Sequence, residues 1–531
     1  MRNIALVGLP GSGKSSVGRR LAEILGYPFF DTDELIETRY ETSISDLFRT
    51  RGESWFRDVE ASLVAQLTQK PRGVLATGGG VVVRDSNLVR LRQWGWVIAL
   101  VAPPELLAQR LGPADHLPLV SRENPTASLA RLWAERSPKY LSADLVVDVS
   151  TPEVDDIVRR ILCFLAEREE SAIPVKTPAA SYDVYVGSGT LGLIGHHAAA
   201  AGLTGRVAVV TTPSLDRRHG DVLREALRAA GLQPATFLLP AGEAAKSWST
   251  VGRLYGLLLQ EGLDSGSALF ALGGEELGDA AGFVAATYMR GIPLVHIPAT
   301  LLAQLDSCVG GKVAINHPRA KNLIGAWHHP RLVLVDVSLA KEAGLRSLRA
   351  GLAEAVKYAI ISDASLLAFL EERLEALLEL DPHTLSDLVL RCLTLKARIV
   401  GQDEHEVGPR LLLNYGHIFA YALEAATGYR RFSHGEAVAI GMTLAARLGL
   451  RLGLTDRELL RRQTDLLHRV GLPTHFSGVA PARVLEALLR DKKRKGGRLR
   501  LVVPCAPGMG QVVEDVHVEL VAEILGTAPP A

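Results

Sequence analysis

The chain has 531 residues, of which 47% are hydrophobic and 22% are charged, and its formal net charge is +1. At about 150 residues per domain, this length allows three or four domains of ordinary globular composition. The balanced charge argues against a nucleic-acid partner and against an anionic membrane surface. Four scattered cysteines without a CxxC pair argue against both a disulfide framework and a thiolate zinc site. No run of about 18 uncharged apolar residues occurs, so we expect no spanning helix and a cytoplasmic protein.

In the first third of the chain, short apolar runs alternate with longer amphipathic stretches. This alternation predicts a parallel α/β sheet, because parallel strands need helical crossovers. The predicted strands are Ile4–Val7, Tyr27–Phe30, Val74–Ala76 and Val97–Val101, and the predicted helices include Ser16–Leu25 and Asp58–Leu67.

Residues 166–180 are polar, then rich in proline and alanine, which predicts a linker. Strand-like runs resume at Tyr182–Val186, Arg206–Thr211 and Ala268–Leu272. From about Ala340 the chain is rich in leucine and alanine with a helical period, and few strand signals remain until Leu499–Val503. The predicted domains are therefore 1–165, an α/β subdomain at 181–338, and a mostly helical subdomain at 339–531.

Residues Gly8 to Ser15 satisfy the pattern GxxxxGK[ST], between a predicted strand and a predicted helix. In this context backbone N–H groups bind phosphates, Lys14 reaches the β and γ oxygens, and the Ser15 hydroxyl binds Mg²⁺. The sequence therefore predicts an ATP or GTP site. Its predicted contacts are Gly11, Gly13, Lys14, Ser15 and Ser16.

Asp31 and Asp33 follow the predicted second strand, where paired carboxylates hold Mg²⁺ and hydrogen-bond a substrate hydroxyl. The alternative is a pair of solvated turn residues. Gly78–Gly80 follows another strand, where glycine lets a ligand approach the backbone closely.

The phosphate loop, Asp-Thr-Asp at Asp31–Asp33, Gly-Glu-x-x-Phe-Arg at Gly52–Arg57 and the triple glycine occur in the order found in shikimate kinases. Residues 1–165 resemble that family, which implies a P-loop kinase that phosphorylates shikimate with ATP and Mg²⁺. Asp31 would organise Mg²⁺, Asp33 would orient or deprotonate the 3-hydroxyl, and Arg110 would lie by the nucleotide. The implied shikimate contacts are Asp33, Arg57, Gly79, Gly80 and Arg136. Another small-molecule kinase on the same fold is the alternative.

One departure concerns the lid of the kinase family, which carries an arginine before Pro-Leu-Leu. Here the stretch is His116–Val120, and Leu117 stands in the arginine's place. Because such a charge on the transferring phosphate is worth orders of magnitude in rate, a reduced turnover is expected unless Arg122 substitutes for it.

Glu354, His417 and His434 offer one carboxylate and two imidazoles, a donor set that suits a catalytic zinc with an open position. The alternative for each histidine is a satisfied core or surface residue. Basic side chains form a second group that suits an anionic sugar phosphate, although Lys492–Lys495 alone could be a solvated charge run. This group comprises Lys312, Lys321, Lys357, Lys396, Arg410, Lys492 and Lys493.

Residues 181–525 closely resemble 3-dehydroquinate synthase. The shared segments are Asp-Ser-x-Val-Gly-Gly-Lys at Asp306–Lys312, Lys-Asn-Leu-Ile-Gly-Ala from Lys321, Leu-Asn-x-Gly-His at Leu413–His417, and His-Gly-Glu from His434. The resemblance implies a Rossmann-like NAD-binding subdomain, Zn²⁺ or Co²⁺ on Glu354, His417 and His434, and a homodimer formed through this half.

The implied reaction, by a carbon–oxygen lyase, converts 3-deoxy-D-arabino-heptulosonate 7-phosphate to 3-dehydroquinate with release of phosphate. The implied NAD⁺ contacts are Glu243, Lys246, Gly274, Asp279, Thr300 and Lys321. The implied substrate contacts are Asp306, Lys312, Asn322, Lys357, Lys396, Arg410, Asn414 and one of Lys492 or Lys493, with Arg290 from the dimer partner. Of these, Lys312, Lys357, Arg410 and Asn414 are the implied catalytic residues.

Most departures from this second family cluster at the NAD⁺ site. Glu275 and Glu276 replace a glycine and a valine there, and Ala299 replaces a threonine. Tyr421 replaces a second histidine, which in the family lies near the leaving phosphate. One like-charge pair at 4 Å costs about 4 kcal/mol at an effective dielectric near 20, so the glutamates would oppose a pyrophosphate. Two interpretations stay open: a bifunctional shikimate-pathway enzyme with a remodelled cofactor site, or an active kinase fused to an impaired synthase-like binding or dimerisation domain.

Overall fold

The computed structural model describes residues 2–111, 117–150, 153–317, 320–490 and 499–526. The lid position His116 and the candidate lysines Lys492 and Lys493 lie outside the described residues. The chain forms two compact units. The first contains the residues up to Glu170 together with Thr190–Gly202 and Arg218–Leu232, and the second contains Ser171–Gly189, Leu203–Arg217 and the chain from Gln233 onward.

The first part of the chain alternates strands and helices as predicted. In chain order the elements are β1 Asn3–Val7, α1 Lys14–Leu25, β2 Phe29–Asp31, α2 Thr32–Tyr40, α3 Ile44–Arg51, α4 Glu53–Leu67, β3 Val74–Ala76, α5 Asp85–Trp94, β4 Gly95–Val101, α6 Pro104–Leu111, α7 Pro125–Leu141, β5 Leu145–Asp148 and α8 Val154–Glu169. The five strands form one parallel sheet in the order β2-β3-β1-β4-β5. The strand β1 is fully buried and lies in the middle of this sheet. The loop that follows β1 therefore lies at the middle of the sheet's carboxyl edge.

The helix predicted from Asp58 begins earlier, at Glu53. Gly52 has a positive φ of 84°, which ends α3 and lets α4 start at once, and Glu53 puts a favourable carboxylate in the first turn. Arg57 therefore projects from within a helix.

The second part of the chain first alternates strands with helices and then continues as a run of helices. In chain order these are β6 Glu170–Lys176, β7 Ser181–Gly187, α9 Ile194–Ala200, β8 Arg206–Thr211, α10 Pro213–Leu215, α11 Asp221–Ala229, β9 Gln233–Leu238, α12 Trp248–Gln260, β10 Ala268–Gly273, α13 Glu275–Thr287, β11 Leu294–Pro298, β12 Lys312–His317, β13 Ala320–Trp327, β14 Leu332–Asp336, α14 Gly344–Ser362, α15 Ala364–Leu378, α16 Pro382–Gln402, α17 His417–Ala426, α18 His434–Arg451, α19 Arg457–Val470, α20 Pro481–Leu489, β15 Leu499–Ala506, β16 Met509–Val516 and α21 Val518–Gly526.

A seven-stranded sheet has the order β6-β7-β14-β11-β10-β8-β9, and its strands from β7 to β9 are all parallel. This confirms the Rossmann-like prediction. The linker prediction for residues 166–180 is wrong for most of its length, since α8 runs to Glu169 and β6 forms an edge strand at once. Alternate residues Ile173 and Val175 of β6 are buried, so the strand has one apolar face.

The helices α14 to α20 confirm the mostly helical C-terminal subdomain. Helix α14 is its centre, because Leu352, Val356 and Tyr358 are buried in a core shared with α16, α17 and α18. Two antiparallel hairpins were not predicted: β12–β13, and β15–β16 near the C-terminus. No described helix is long and apolar enough to span a bilayer.

Candidate active sites

The loop between β1 and α1 has the conformation of a phosphate cradle. Gly11 and Gly13 have φ values of 81° and 83°, which few residues other than glycine adopt, and no side chain caps α1 after Gly13. The first-turn N–H groups of α1 are therefore available to an anion. Lys14 Nζ donates to Leu9 O at 2.9 Å and to Ser12 Oγ at 3.3 Å. Burial lowers the pKa of Lys14 to about 8, although Asp33 and Asp31 oppose the shift.

Asp31 and Asp33 lie beside this loop and have different environments. Ser15 Oγ donates to Asp31 Oδ2 at 2.6 Å, and Asp31 Oδ1 accepts from the Asp33 backbone N–H at 3.0 Å as the N-cap of α2. Burial and then the Asp31 charge raise the pKa of Asp33 to about 7, against the effect of Lys14. The first carboxylate is thus placed with Ser15 to hold Mg²⁺, and the second is poised near neutrality for proton transfer.

Two arginines face the triple glycine. Arg136 Nη1 and Tyr140 Oη, both on α7, donate to Gly79 O at 2.9 and 2.6 Å. Arg57 Nη1 donates to Glu60 at 2.9 Å, three residues further along α4. Glu60 is fully buried and its Oε1 has no partner among the described residues. Sequence reasoning missed Glu60, although its i,i+3 spacing from Arg57 is the available signal.

These groups line one cavity of about 380 Å³. A Cβ on Gly80 would lie 2.1 Å from Arg57 Nη1, so any side chain at this position would collide with the guanidinium group of Arg57. Leu117 lines the cavity, whereas Arg110 and Arg122 are not among its described lining residues. Arg110 instead donates to Ser150 O at 3.2 Å. The predicted residues that line it are Gly11, Gly13, Lys14, Ser15, Ser16, Asp31, Asp33, Arg57, Gly79, Gly80 and Arg136.

In the second unit, Glu354, His417 and His434 converge from three helices. One potential ligand atom from each lies within 4.8 Å of the others. His417 Nε2 and His434 Nε2 are 3.4 and 3.7 Å from Glu354 Oε1, which has no hydrogen-bond donor among the described residues. An unsatisfied buried carboxylate oxygen facing two imidazoles fits a divalent cation, and the donor set suits zinc.

The outer nitrogens of both imidazoles are fixed by acceptors. His417 Nδ1 lies 3.1 Å from Tyr415 O, and His434 Nδ1 lies 3.1 Å from Glu424 Oε1. These contacts direct each Nε2 lone pair inward, as metal-binding histidines require. Burial lowers the pKa of His434, but Glu424 and then Glu275 outweigh it and raise the value to about 9. Glu424 was not predicted, because its distance along the chain from His434 gives no motif.

A buried group of charges adjoins the triad. Lys357 ion-pairs with Glu354 and lies 3.8 Å from Asp306 Oδ1. Lys396 donates to Asp306 Oδ1 at 2.8 Å, and Tyr358 Oη donates to the same oxygen at 2.5 Å. Although burial acts in the other direction, the two lysines hold the pKa of Asp306 well below its usual range. The structure thus brings three predicted substrate residues against one predicted metal ligand.

Lys312 and Asn414 both contact Glu406, which the sequence analysis did not single out. Glu406 has a positive φ of 60°, so its backbone conformation is one that few side chains adopt. Arg410 stacks on Trp327, with its guanidinium carbon 5.1 Å from the ring centre. These three predicted residues form a cationic and amide-lined group suited to a phosphate or carboxylate.

The predicted NAD⁺ residues surround the start of α13. Gly274 is the N-cap and no side chain caps the helix, so its first N–H groups are open to an anion. A Cβ on Gly274 would lie 3.2 Å from Thr300 Cγ2, a tight contact that a larger residue could keep only by displacing Thr300. Lys246 ion-pairs with Asp279 and donates to Asn322, so Asn322 lies with this group.

Glu243 ion-pairs with Lys321 and accepts from Asn316 Nδ2 at 2.6 Å. Two lysines and a helix N-terminus without a side-chain cap fit the pyrophosphate of a dinucleotide. Arg290, in contrast, is exposed after α13 and makes no described polar contact with the other predicted residues.

Comparison with known proteins separates the chain into a kinase part and a synthase part. Residues 10–166 match the family model "Shikimate kinase", 236–350 match "3-dehydroquinate synthase N-terminal", and 351–494 match "3-dehydroquinate synthase C-terminal". A 3-dehydroquinate synthase of Pelobacter propionicus is 46% identical over 357 residues, which is 67% of this chain and 98% of the relative. The chain belongs to the 3-dehydroquinate synthase family. It carries in addition a shikimate kinase domain at residues 10–166.

Two solved structures are similar to one part each. The 2-epi-5-epi-valiolone synthase of Streptomyces hygroscopicus, solved with NAD⁺ and Zn²⁺, is 29% identical with a TM-score of 0.61 and covers 66% of this chain and 96% of its own. The shikimate kinase of Acinetobacter baumannii, solved with shikimate, is 36% identical with a TM-score of 0.31 and covers 32% and 95%. The family matches confirm the predicted fusion of a kinase and a synthase, and the two parallel sheets followed by helices confirm the predicted fold class.

Within the synthase part, two residues that depart from the family motif, Tyr421 and Glu275, interact with the metal triad. The Tyr421 ring stacks at 6.2 Å on His434 and meets His417 edge-on at 5.8 Å. Burial raises the pKa of Glu275 to about 7, although His434 opposes the shift. The repulsion expected from the sequence is therefore weaker than two full charges would give, because near neutrality Glu275 is only partly ionised.

Proposed function

We propose that this chain is a bifunctional enzyme that phosphorylates shikimate with ATP and cyclises 3-deoxy-D-arabino-heptulosonate 7-phosphate to 3-dehydroquinate. The observation that carries the proposal is the second buried centre, where Glu354, His417 and His434 adjoin the Lys357–Asp306–Lys396 group. A zinc site next to fixed lysines is what an anionic sugar substrate needs.

In the kinase domain, Asp33 accepts the proton of the 3-hydroxyl as that oxygen attacks the γ-phosphorus, and the bond from this phosphorus to the bridging oxygen breaks to release ADP. Lys14 and the N–H groups of the loop neutralise the transferring phosphate, and Ser15 with Asp31 would hold Mg²⁺. Arg57 and Arg136 would bind the shikimate carboxylate, since both guanidinium groups line the cavity beside the glycines.

In the synthase part, Glu354, His417 and His434 would hold zinc, and the residues around Gly274 would hold NAD⁺. When bound, the metal supplies Lewis acidity and the dinucleotide accepts and returns a hydride. The protein's own residues position the substrate: Lys312, Arg410 and Asn414 bind its anionic groups. Lys357 and Lys396 keep Asp306 ionised beside the ring, where its carboxylate orients a hydroxyl.

The remaining contacts follow from the same proposal. The synthase part would form a homodimer in which Arg290 reaches the partner's site, in keeping with its exposure and left-handed φ of 66°. We also propose domain boundaries near 165, 181 and 338. The end of the kinase match at 166 supports the first boundary, and the change of matching model at 350 supports the last. Four free cysteines support cytoplasmic residence.

The test uses two variants of the full chain, each of which should lose one activity and keep the other, with zinc, NAD⁺ and MgATP supplied. Lys14→Ala should abolish shikimate-dependent ADP formation and leave phosphate release from the heptulosonate phosphate intact. His434→Ala should do the reverse. Loss of both activities in either variant, or no phosphate release from the unaltered chain, would contradict the proposal.

A further inference from the structure

The loop that carries Arg410 rests on a buried carboxylate that the proposed mechanism does not use. Glu404 lies just beyond α16, and its side chain is 5% exposed. Its Oε1 lies 2.7 Å from His329 Nε2 and accepts from Thr177 Oγ1 at 3.2 Å. The imidazole of His329 is 6% exposed, so water is nearly excluded from the pair.

Glu404 also holds Arg410 directly, through its backbone. Arg410 Nη1 donates to Glu404 O at 2.6 Å, and Nη2 donates to Gly310 O at 2.9 Å. The two carbonyls fix both ends of the guanidinium fork, which leaves its orientation dependent on where Glu404 and Gly310 sit. A Cβ on Gly310 would lie 2.4 Å from Arg410 Nη2, so a side chain at this position would displace the guanidinium group.

His329 joins the two carbonyls into one arrangement. A Cβ on Gly311 would lie 3.0 Å from the His329 ring, so the imidazole packs directly on the glycine pair that supplies the second carbonyl. The same imidazole holds the Glu404 carboxylate. Displacing the ring would therefore move both acceptors of Arg410.

Thr177 comes from the turn between β6 and β7, inside the stretch that the sequence predicted to be a linker. Thr177 N donates to Ala180 O at 2.8 Å, which closes the turn. Lys176 O lies so near the end of α16 that a Cβ on Gly401 would be 2.7 Å from it. The turn is therefore a support for the residues that follow α16.

We infer that Glu404, with His329 and Thr177, is a positioning residue that orients Arg410 toward an anionic group of the substrate. This inference rests on the proposed role of Arg410 in binding the sugar phosphate. Although burial acts to raise the pKa of Glu404, the contacts with His329 and Thr177 outweigh it and lower that pKa, so the carboxylate stays ionised as an acceptor.

The experiment compares steady-state constants for the heptulosonate phosphate in the full chain. Glu404→Ala should raise KM by about tenfold with a smaller change in kcat, because a displaced guanidinium weakens substrate binding. Glu404→Gln, which keeps the acceptor oxygen for Thr177, should recover most of the loss. Glu371→Ala, which removes a carboxylate paired with Arg462 at 2.7 Å in the same unit, is the matched control and should leave KM unchanged.

A double variant separates positioning from general destabilisation. If Glu404 acts through Arg410, the KM of Glu404→Ala/Arg410→Ala should equal that of Arg410→Ala alone. A fall in kcat at unchanged KM, or fully additive effects, would overturn the inference. If the unaltered chain has no synthase turnover, the proposed function fails. Calorimetric binding of inorganic phosphate then tests whether Glu404 orients Arg410. Glu404→Ala should weaken that binding, and equal binding would overturn the inference.

Discussion

At the scale of single residues, burial in the kinase site brings the pKa values of a carboxyl and an ammonium group close to neutrality. Burial raises the pKa of Asp33 to about 7 and lowers that of Lys14 to about 8. The effects differ in sign because burial disfavours whichever form is charged. Proton acceptance needs the ionised form of Asp33, which predominates above the pKa of this carboxyl group. Phosphate binding needs the charged form of Lys14, which is lost above the pKa of this ammonium group.

The kinase kcat/KM for shikimate should therefore rise through about pH 7 and fall beyond about pH 8. Measured in mixed buffers with both MgATP and shikimate below saturation, this ratio reports the groups of the free enzyme and is the check. Asp33→Asn should be nearly inactive and should lose the rising limb. A profile that is flat through pH 7 in the unaltered chain would contradict the assignment of Asp33.

Leu117 lines the kinase cavity where the family lid has an arginine. Leu117→Arg should raise the kinase kcat by about tenfold or more, because a cation on the transferring phosphate stabilises the transition state. Leu119→Arg puts the same charge at another lining residue and is the control. Arg122→Ala should have little effect, and a large loss in that variant would mean that Arg122 already supplies the missing charge.

At the scale of elements, the start of helix α18 positions a metal ligand. Ser433 and Glu436 form a capping box: Ser433 Oγ accepts from Glu436 N at 3.4 Å, and Glu436 Oε2 accepts from Ser433 N at 2.7 Å. His434 is the next residue after the cap. The cap therefore sets the direction in which its imidazole leaves the helix.

Ser433→Ala should destabilise the synthase part by about 1 kcal/mol, as loss of an N-cap does. It should also weaken zinc binding by about tenfold, because a ligand orientation is lost. Competition with a chelator measures the affinity, and thermal unfolding measures the stability. Asp456→Ala removes the N-cap of α19, which accepts from Leu459 N at 2.6 Å, and should affect stability alone. Equal zinc affinities in both variants would refute the positioning role of the cap.

The elements also show what sequence could and could not predict. Lys14, Glu354 and His434 stand in contiguous motifs, and short-range patterns identify such residues together with the strands that precede them. Glu404 and Glu406 act through contacts with side chains far along the chain, and one sequence holds no record of such pairs. The error at residues 166–176 has a similar cause, since a polar stretch with one proline also suits an edge strand.

At the scale of the whole molecule, the two units carry separate chemistry, and the synthase part has one predicted residue outside its own site. Arg290 is exposed beyond α13. If it serves the partner's site, Arg290→Ala and Lys357→Ala chains should each be inactive as synthases. A mixture refolded together should recover about a quarter of the sites, because each mixed dimer has one intact centre. Steady-state phosphate release measures this recovery, and none in a mixture shown to exchange subunits would contradict a shared site.

Whether one chain holds two working enzymes depends most on the acidic start of α13. NAD⁺ must bind where Glu275 and Glu276 occupy the first turn. Because burial raises the pKa of Glu275 to about 7, binding should strengthen as the pH falls through that value and the repulsion is lost. Glu275→Gly/Glu276→Val should bind more tightly still, and without this pH dependence.

The decisive measurement is calorimetric titration of NAD⁺ into the zinc-loaded full chain and into that double variant. We expect the natural sequence to bind NAD⁺ with a dissociation constant in the micromolar range, which corresponds to about 8 kcal/mol of binding free energy. Absence of binding to the natural sequence, with binding restored in the double variant, would contradict it. The two glutamates would then have closed the cofactor site, and the kinase alone would be catalytic.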